Sequence, residues 1–179
     1  MKVSLFNLAL FTSLVAACLV IALATLPQNE FSLNVTVITS EHSRDSNSVT
    51  TNLCVSGNTL VYEETYHGAH ANRHQPLKKE YKLTNDDRDR LIGLLKDKAL
   101  LTTKTISKSS EQRGLSRDFE LSIASKLAGK VGLISINAPR TAIELKTDPL
   151  YQSSVFLIAE LYRIINRTDP DVTFSDLID

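Results

Sequence analysis

One apolar segment near the N-terminus constrains this chain more than any other feature. No charged side chain occurs from Val3 to Gln28, and the apolar run approaches the roughly 20 helical residues that a bilayer core requires. Lys2 precedes the segment, and the first cationic side chain after it is Arg44. By the positive-inside rule we expect residues 1–26 to direct the chain to a membrane and the remainder to be exported.

The sequence leaves three fates open for this segment. Residues 22–24 have the small-x-small pattern of a signal-peptidase site, which predicts cleavage. Retention as a membrane anchor is the second interpretation, because the apolar stretch exceeds the usual signal-peptide core of about 7–15 residues. The third is a lipoprotein modified at Cys18, since residues 15–18 resemble a bacterial lipobox; the apolar residues 19–23 argue against it.

The rest of the chain is long enough for one domain, which we expect to span residues 27–166 with an acidic tail at 167–179. The 20 Lys and Arg residues balance 20 Asp and Glu residues, so no basic surface for a nucleic-acid partner is expected. Only one of the two cysteines, Cys54, lies outside the apolar segment. No disulfide can therefore form within the domain, and packing has to hold it together.

Alternating apolar and polar residues predict several strands. Gly57 and Asn58 separate two β-rich runs, and because both residue types tolerate positive φ they predict a two-residue hairpin. In that register Leu53 faces Tyr62, and Cys54 lies on the other face of the hairpin beside polar side chains. The predicted strands are 31–39, 49–56, 59–66, 77–83, 118–125 and 131–137, with a possible short strand at 103–107.

Two helices are predicted from their start signals. Thr84 followed by Asp87 forms a capping pattern before a helix that runs to about residue 98. Asp148 and Pro149 begin a second helix that runs to about residue 165 and is apolar over most of its circumference. The element order predicts an α+β fold: an antiparallel β-sheet with two helices packed on one face, preceded by an N-terminal apolar helix that serves as signal or anchor.

The alternation of strand pairs with two helices across residues 53–165 is loosely similar to the plan of the emfourin-type metalloprotease inhibitors, which are small secreted modules. The resemblance concerns the fold plan alone and assigns neither a function nor any residue.

Three histidines supply the most suggestive chemistry in the sequence. His67, His70 and His74 have the spacing i, i+3, i+7, and neutral imidazoles on one side of a helix could bind zinc or copper. Gly68 and Pro76 disfavour such a helix, and the competing interpretation is a solvated loop. We find no catalytic motif of the HExxH, CxxC or GxSxG kind, and we predict no cofactor and no catalytic residue.

Phe156 is the candidate partner-binding residue. It falls in the narrow polar strip of the second helix, between Arg163 and Glu160, on the side opposite to the expected core. Either the acidic tail, with Val172 and Phe174, covers it, or it is an exposed anchor for a partner.

The function that these features favour is a non-enzymatic binding or interaction module of the cell envelope, exported and either released or membrane-anchored. Its expected partner is a protein or an envelope component. The alternative is a metal-binding protein or metal-dependent enzyme that uses the histidine loop, and a purely structural envelope protein is a third possibility.

Overall fold

The computed structural model describes residues 31–41, 47–107, 117–139 and 143–172. Seven strands form one mixed sheet in the order β4-β3-β2-β1-β6-β7-β5. The predicted apolar helix at the N-terminus falls outside the described residues. The strands are β1 (Ser32–Glu41), β2 (Asn47–Ser56), β3 (Thr59–His67), β4 (Leu77–Lys82), β5 (Thr103–Ser107), β6 (Arg117–Leu127) and β7 (Lys130–Pro139).

The helices begin where their capping residues predict. In α1 (Asn85–Asp97), Thr84 and Asp87 form a reciprocal capping box. In α3 (Pro149–Asn166), the Asp148 carboxylate accepts hydrogen bonds from two backbone N–H groups of the first turn. A four-residue helix, α2 (Ile143–Lys146), was not predicted. Within the described ranges, no helix is long and apolar enough to cross a membrane.

The predicted hairpin is confirmed residue by residue. Strands β2 and β3 pair antiparallel with Leu53 opposite Tyr62 and with Cys54 opposite Val61. Gly57 has φ +58°, the left-handed backbone conformation that glycine adopts without steric cost. This local turn sets the register, which in turn decides which side chains of both strands enter the core.

The expectation of a purely antiparallel sheet is wrong at one edge. Strand β5 pairs parallel with β7, with Thr103 opposite Leu133 and Ser107 opposite Asn137. The path of the chain explains the parallel direction, because the residues that follow α1 lie at the end of the sheet where β7 begins. There Ser125 of β6 donates a hydrogen bond to the carbonyl of Leu100 at 3.2 Å. A strand that starts at this end has to run in the same direction as β7.

The core lies between the sheet and the two longer helices. Helix α3 crosses the sheet, since the ring of Tyr151 meets that of Phe119 on β6 edge to face, and that of Tyr162 meets Tyr62 on β3 in the same way. The fold is therefore α+β. Fully buried side chains include Leu33, Leu53, Leu60, Leu91, Leu95, Leu121, Ile123, Ile134, Ile136, Leu157 and Ile158.

The first part of the acidic tail packs onto the domain. Asp169 forms an ion pair with Lys79 and accepts a hydrogen bond of 3.1 Å from the hydroxyl of Tyr81, and Val172 is buried with the core. Residues 173–179 lie outside the described ranges. The described part of the tail thus closes the edge of the core near β4.

Two glycines are expected to respond to alanine in opposite ways. A Cβ on Gly132 would lie 2.5 Å from the Leu100 carbonyl oxygen and 2.7 Å from the Ser125 hydroxyl, so Gly132→Ala overpacks the site and should cost about 1–3 kcal/mol. Gly93 is inside α1, and apart from its chain neighbours and the helix's own backbone, a Cβ at this position would meet no atom within 4 Å. Gly93→Ala should stabilise the domain by up to about 1 kcal/mol. Denaturant unfolding measures both, and equal effects would contradict the close approach at Gly132.

Candidate functional site

Helix α3 buries most of its surface and leaves one large hydrophobic side chain in solvent. Ile158, Leu161 and Ile165 are in the core, whereas Phe156 is 54% exposed. At 3.6 residues per turn, Phe156 is roughly 140–200° from those three residues around the helix. A single exposed hydrophobic residue is common on protein surfaces, so the interest of Phe156 depends on its neighbours.

Lys98, the C-cap residue of α1, is the first of these neighbours. Its ammonium is 5.5 Å from the centroid of the Phe156 ring, and both residues are exposed. A cation over an aromatic face contributes about 0.5–1 kcal/mol at an exposed site. The contact therefore orients the ring and presents an apolar and a positively charged group side by side.

Glu160, one helical turn beyond Phe156, holds two arginines at the surface between α1 and α3. Its carboxylate accepts hydrogen bonds from Arg163 at 2.7 and 2.9 Å and forms an ion pair with Arg90 at 3.3 Å. The Glu160 side chain is 8% exposed, against 40% for Arg163 and 64% for Arg90. The acid is thus hidden while much of both cationic side chains stays accessible.

Asp87 anchors the same arginine network from the first turn of α1. Its carboxylate faces Arg163 at 3.1 Å and also pairs with Arg167, while the Thr84 hydroxyl and backbone N–H donate to it at 2.6 and 2.9 Å. Burial by itself would raise the pKa of Asp87, but the hydrogen bonds from Thr84 and the charge of Arg167 outweigh it and lower the pKa to about 2. Asp87 is therefore a carboxylate at neutral pH and fixes α1 against the end of α3.

Two of the three candidate histidines, His67 and His74, lie on different faces of the sheet. His67 is the exposed last residue of β3, and His74 stacks on the Tyr66 ring with centroids 4.6 Å apart. Tyr66 and His67 are consecutive in the strand, so their side chains leave opposite faces of the sheet. The backbone of His70 is in a short 3₁₀ turn, Gly68–Asn72, and its side chain is outside the described set. The three-histidine metal site stays a prediction.

Next to this loop, Glu64 lies between two tyrosines. The hydroxyls of Tyr62 and Tyr66 both donate hydrogen bonds to its carboxylate. Burial, followed by the hydrogen bond to Glu64, raises the pKa of Tyr62, so the phenol keeps its proton and is no nucleophile. This arrangement ties the end of β3 together and supplies no group that would activate a substrate.

The two cysteines of the chain are Cys54, on β2, and Cys18, in the N-terminal apolar segment. Cys54 is an exposed residue of β2, but neighbouring atoms cover part of its thiol, and this partial burial, followed by the charge of Glu63, raises the pKa of the thiol. A raised pKa keeps the thiol protonated and unreactive. Cys18, the predicted lipidation position, lies outside the described residues.

No group of three His, Cys, Asp or Glu side chains among the described residues is arranged to hold a metal ion. What the structure does bring together is Phe156, Lys98, Arg90 and Arg163 on one surface formed by α1 and α3. We call these four residues, with the exposed Ala159 between them, the Phe156 surface.

Sequence reasoning found part of this surface. The helical wheel places Phe156 between Glu160 and Arg163; the structure exposes Phe156 and Arg163 on this side of α3 but leaves the Glu160 side chain only 8% exposed. It missed Lys98 and Arg90, because these residues come from α1 and meet α3 only through tertiary packing. The available signal was that basic residues occur on both sides of the apolar positions of α1, with Arg90 before Leu91 and Lys98 after Leu95, but this pattern does not say which neighbour they meet.

Comparison with known proteins gives no family and no relative: no family model matches the chain, and no curated protein matches it significantly. The functional argument therefore depends on the residues themselves.

Proposed function

We propose that this protein is a non-enzymatic binding module of the cell envelope, exported through the apolar segment at residues 3–26 and either released or anchored there. Its partner is a protein or an envelope component. The apolar, charge-free segment supports the placement. The observation that carries the binding role is Phe156, a large hydrophobic side chain left outside a complete core and held in place by Lys98.

Phe156 has the properties of a binding anchor. Aromatic side chains are enriched among interface hot spots, because they bury a large area and lose little conformational entropy. The ring is already oriented by Lys98, so less freedom remains to be lost on association. The charged groups beside it would form the polar rim that surrounds such anchors.

Replacing Phe156 with alanine should abolish partner capture without unfolding the protein. Because the side chain is 54% exposed and its contact with Lys98 is weak, the free energy of unfolding should fall by no more than about 1 kcal/mol. A hot-spot aromatic contributes at least about 2 kcal/mol to binding, so affinity should fall roughly 30-fold. The measurement is capture of proteins from an envelope extract by the detergent-solubilised chain, quantified for wild type and variant.

Val131 provides the matched control for this experiment. It is also 54% exposed, but it lies on β7, and Val131→Ala should leave capture unchanged. The proposal fails if Phe156→Ala captures as much as the wild type, if both variants lose capture equally, or if the native protein fractionates with the cytoplasm.

A further inference from the structure

We propose that residues 25–30, at the junction of the apolar segment and β1, fold back over the face of the sheet opposite to the helices and dock there. We call this face the outer face. The docking area on it is the outer-face patch, formed by Ser32, Asn34, Ala124 and Lys126. The docking goes beyond the proposed function and does not involve the Phe156 surface.

Strand alternation assigns the patch to the outer face. Leu33 of β1 is in the core together with the buried apolar side chains of the three described helices. Its neighbours Ser32 and Asn34 therefore point to the other side of the sheet. The register of β1 with β6 places Lys126 beside Ser32 and Ala124 beside Asn34 on that side.

The outer-face patch is buried although the described helices pack on the other face. Lys126 and Ser32 are each 6% exposed and Ala124 is 1% exposed. The Oγ of Ser32 and the Oδ1 of Asn34 are buried and find no hydrogen-bond partner among the described residues. Ser32 and Val131 flank Lys126 on the neighbouring strands, and side chains this short cannot enclose a lysine. A covering segment is therefore required, and it has to come from outside the described ranges.

The internal segments outside the described ranges adjoin the wrong end of the sheet. Residues 42–46, 108–116 and 140–142 all adjoin the end at which β6 begins with Arg117. Lys126 lies about 30 Å away along β6. The longest of these segments, 108–116, is fixed at both ends, so covering the patch would take about 60 Å of chain, roughly twice what nine extended residues span.

The remaining candidates are the residues before β1 and those after Val172. Val172 is buried on the helix side of the sheet, so residues 173–179 would have to pass around the β4 edge and then cross four strand spacings, about 19 Å, to reach β6. Strand β1, by contrast, begins with Ser32 in the patch itself. Residues 25–30 span up to about 20 Å when extended, which is enough for the chain to turn and run back over the patch.

The residues before β1 also supply matching chemistry. Glu30 is two positions before Ser32, so strand alternation places its side chain on the outer face near Lys126, and a carboxylate offsets the cost of burying an ammonium. Other outer-face acids lie farther away, since Glu120 is six residues along β6 and Glu63 is three strands away and pairs with Lys78.

Two amides precede Glu30 in the sequence. Gln28 and Asn29 can both donate and accept hydrogen bonds. The buried hydroxyl of Ser32 and the side-chain carbonyl of Asn34 require such partners. The proposed segment therefore carries groups for the charge and for both orphaned polar atoms of the patch.

Docking would fix how the domain sits relative to a membrane. If the apolar segment is retained as an anchor, no free linker is left before β1. The end of the sheet with the turns at Gly57 and Gly129 then lies next to the bilayer. If the chain is cleaved after Ala24, residues 25–30 remain and dock in the same way.

Acetylation of lysines in the full chain, in detergent and followed by mass spectrometry, tests the docking. Lys126 should react at least about tenfold more slowly than Lys130, which is exposed at the start of β7, because a covered group reacts only when the structure opens locally. A glycine variant keeps the chain length and removes the docking groups. It should bring the Lys126 rate to within about threefold of the Lys130 rate. Its substitutions are Leu26→Gly, Pro27→Gly, Gln28→Gly and Asn29→Gly.

The matched control changes four residues after Val172, and it should leave Lys126 protected. Its substitutions are Thr173→Gly, Phe174→Gly, Ser175→Gly and Asp176→Gly. Cooperative thermal unfolding verifies that each variant is folded. If the first glycine variant does not unfold cooperatively, Glu30→Lys takes its place, and the like charge beside Lys126 should raise the labelling rate about threefold.

Labelling of wild-type Lys126 at the rate of Lys130 would show that the patch is uncovered and would overturn the docking. Protection that persists in the folded variants of residues 26–30 also overturns it. If that protection is lost on dilution, the cover is a second copy of the chain. Equal deprotection by the control variant would indicate general loosening and again contradict the docking. Partner capture through Phe156 is a separate readout, so the proposed function stands or falls independently.

Discussion

Ile158→Ala is expected to lower the free energy of unfolding by about 2–5 kcal/mol, the usual range for removing a buried isoleucine side chain. Ile158 is 2% exposed and belongs to the face of α3 that packs into the core with Leu157 and Leu161. Removing three carbon atoms leaves a cavity between the helix and the sheet, because close-packed neighbours collapse only in part. Chemical or thermal unfolding of the two proteins at the same pH measures the loss.

Phe156→Ala on the same helix is the internal control. It removes a larger side chain, but from the outward face, so its effect on stability should be several-fold smaller than that of Ile158→Ala. Equal losses for the two variants would mean that Phe156 is covered by another part of the molecule. An unchanged melting temperature for Ile158→Ala would show that this face of α3 is not core.

Local chemistry made much of the fold predictable. The hairpin register follows from one turn at Gly57 and from alternation along two strands, and both signals lie within a few residues in the sequence. The helix starts follow from Thr84 and Asp148, whose side chains satisfy backbone groups of the next turn. In each case the interacting groups are close in the chain, so the pattern alone identifies them.

The features that the sequence did not predict depend on long-range packing. The parallel pairing of β5 follows from where α1 ends above Gly132, and no pattern in residues 103–107 specifies a strand direction. The contact of Lys98 with Phe156 joins residues 58 positions apart, and the Asp87 ion pairs join positions separated by 76 and 80. Such pairs form only once the helices have packed against the sheet.

The arginine network links the stability of the domain to the Phe156 surface. Asp87 and Glu160 share Arg163, so one guanidinium bridges the start of α1 and the outward stripe of α3. Removing Asp87 would leave Arg163 paired with Glu160 alone and so break its link between the two helices. The candidate binding surface is therefore held by the same ion pairs that hold the helix packing.

Asp87→Ala is the second substitution with a large expected effect, about 2–3 kcal/mol of lost stability at neutral pH, because the ionised carboxylate contributes on the order of 2 kcal/mol and the capping interaction about 1 kcal/mol. The variant leaves Arg163 and Arg167 without their buried partner and removes the acid of the capping box with Thr84. Asp86 supplies the matched control. It is an exposed acid in the same first turn, and Asp86→Ala should cost no more than about 1 kcal/mol. Similar losses for both would show that the effect is only that of charge near the helix start.

The pH dependence separates the charge of Asp87 from its packing. The fold lowers the pKa of this carboxyl from an ordinary 3.8 to about 2, so the ionised form contributes stability that is fully present above about pH 4 and is lost as the pH falls through about 2. The shift corresponds to on the order of 2 kcal/mol.

Asp87→Asn keeps the size of the side chain but not its charge. The deficit of this variant in free energy of unfolding, relative to wild type, should therefore shrink as the pH falls from 4 to 2. Unfolding of wild type and Asp87→Asn, measured across this range, should show that convergence. A deficit of Asp87→Asn that persists unchanged at pH 2 would mean that the amide disrupts the capping geometry and that the charge of Asp87 contributes nothing.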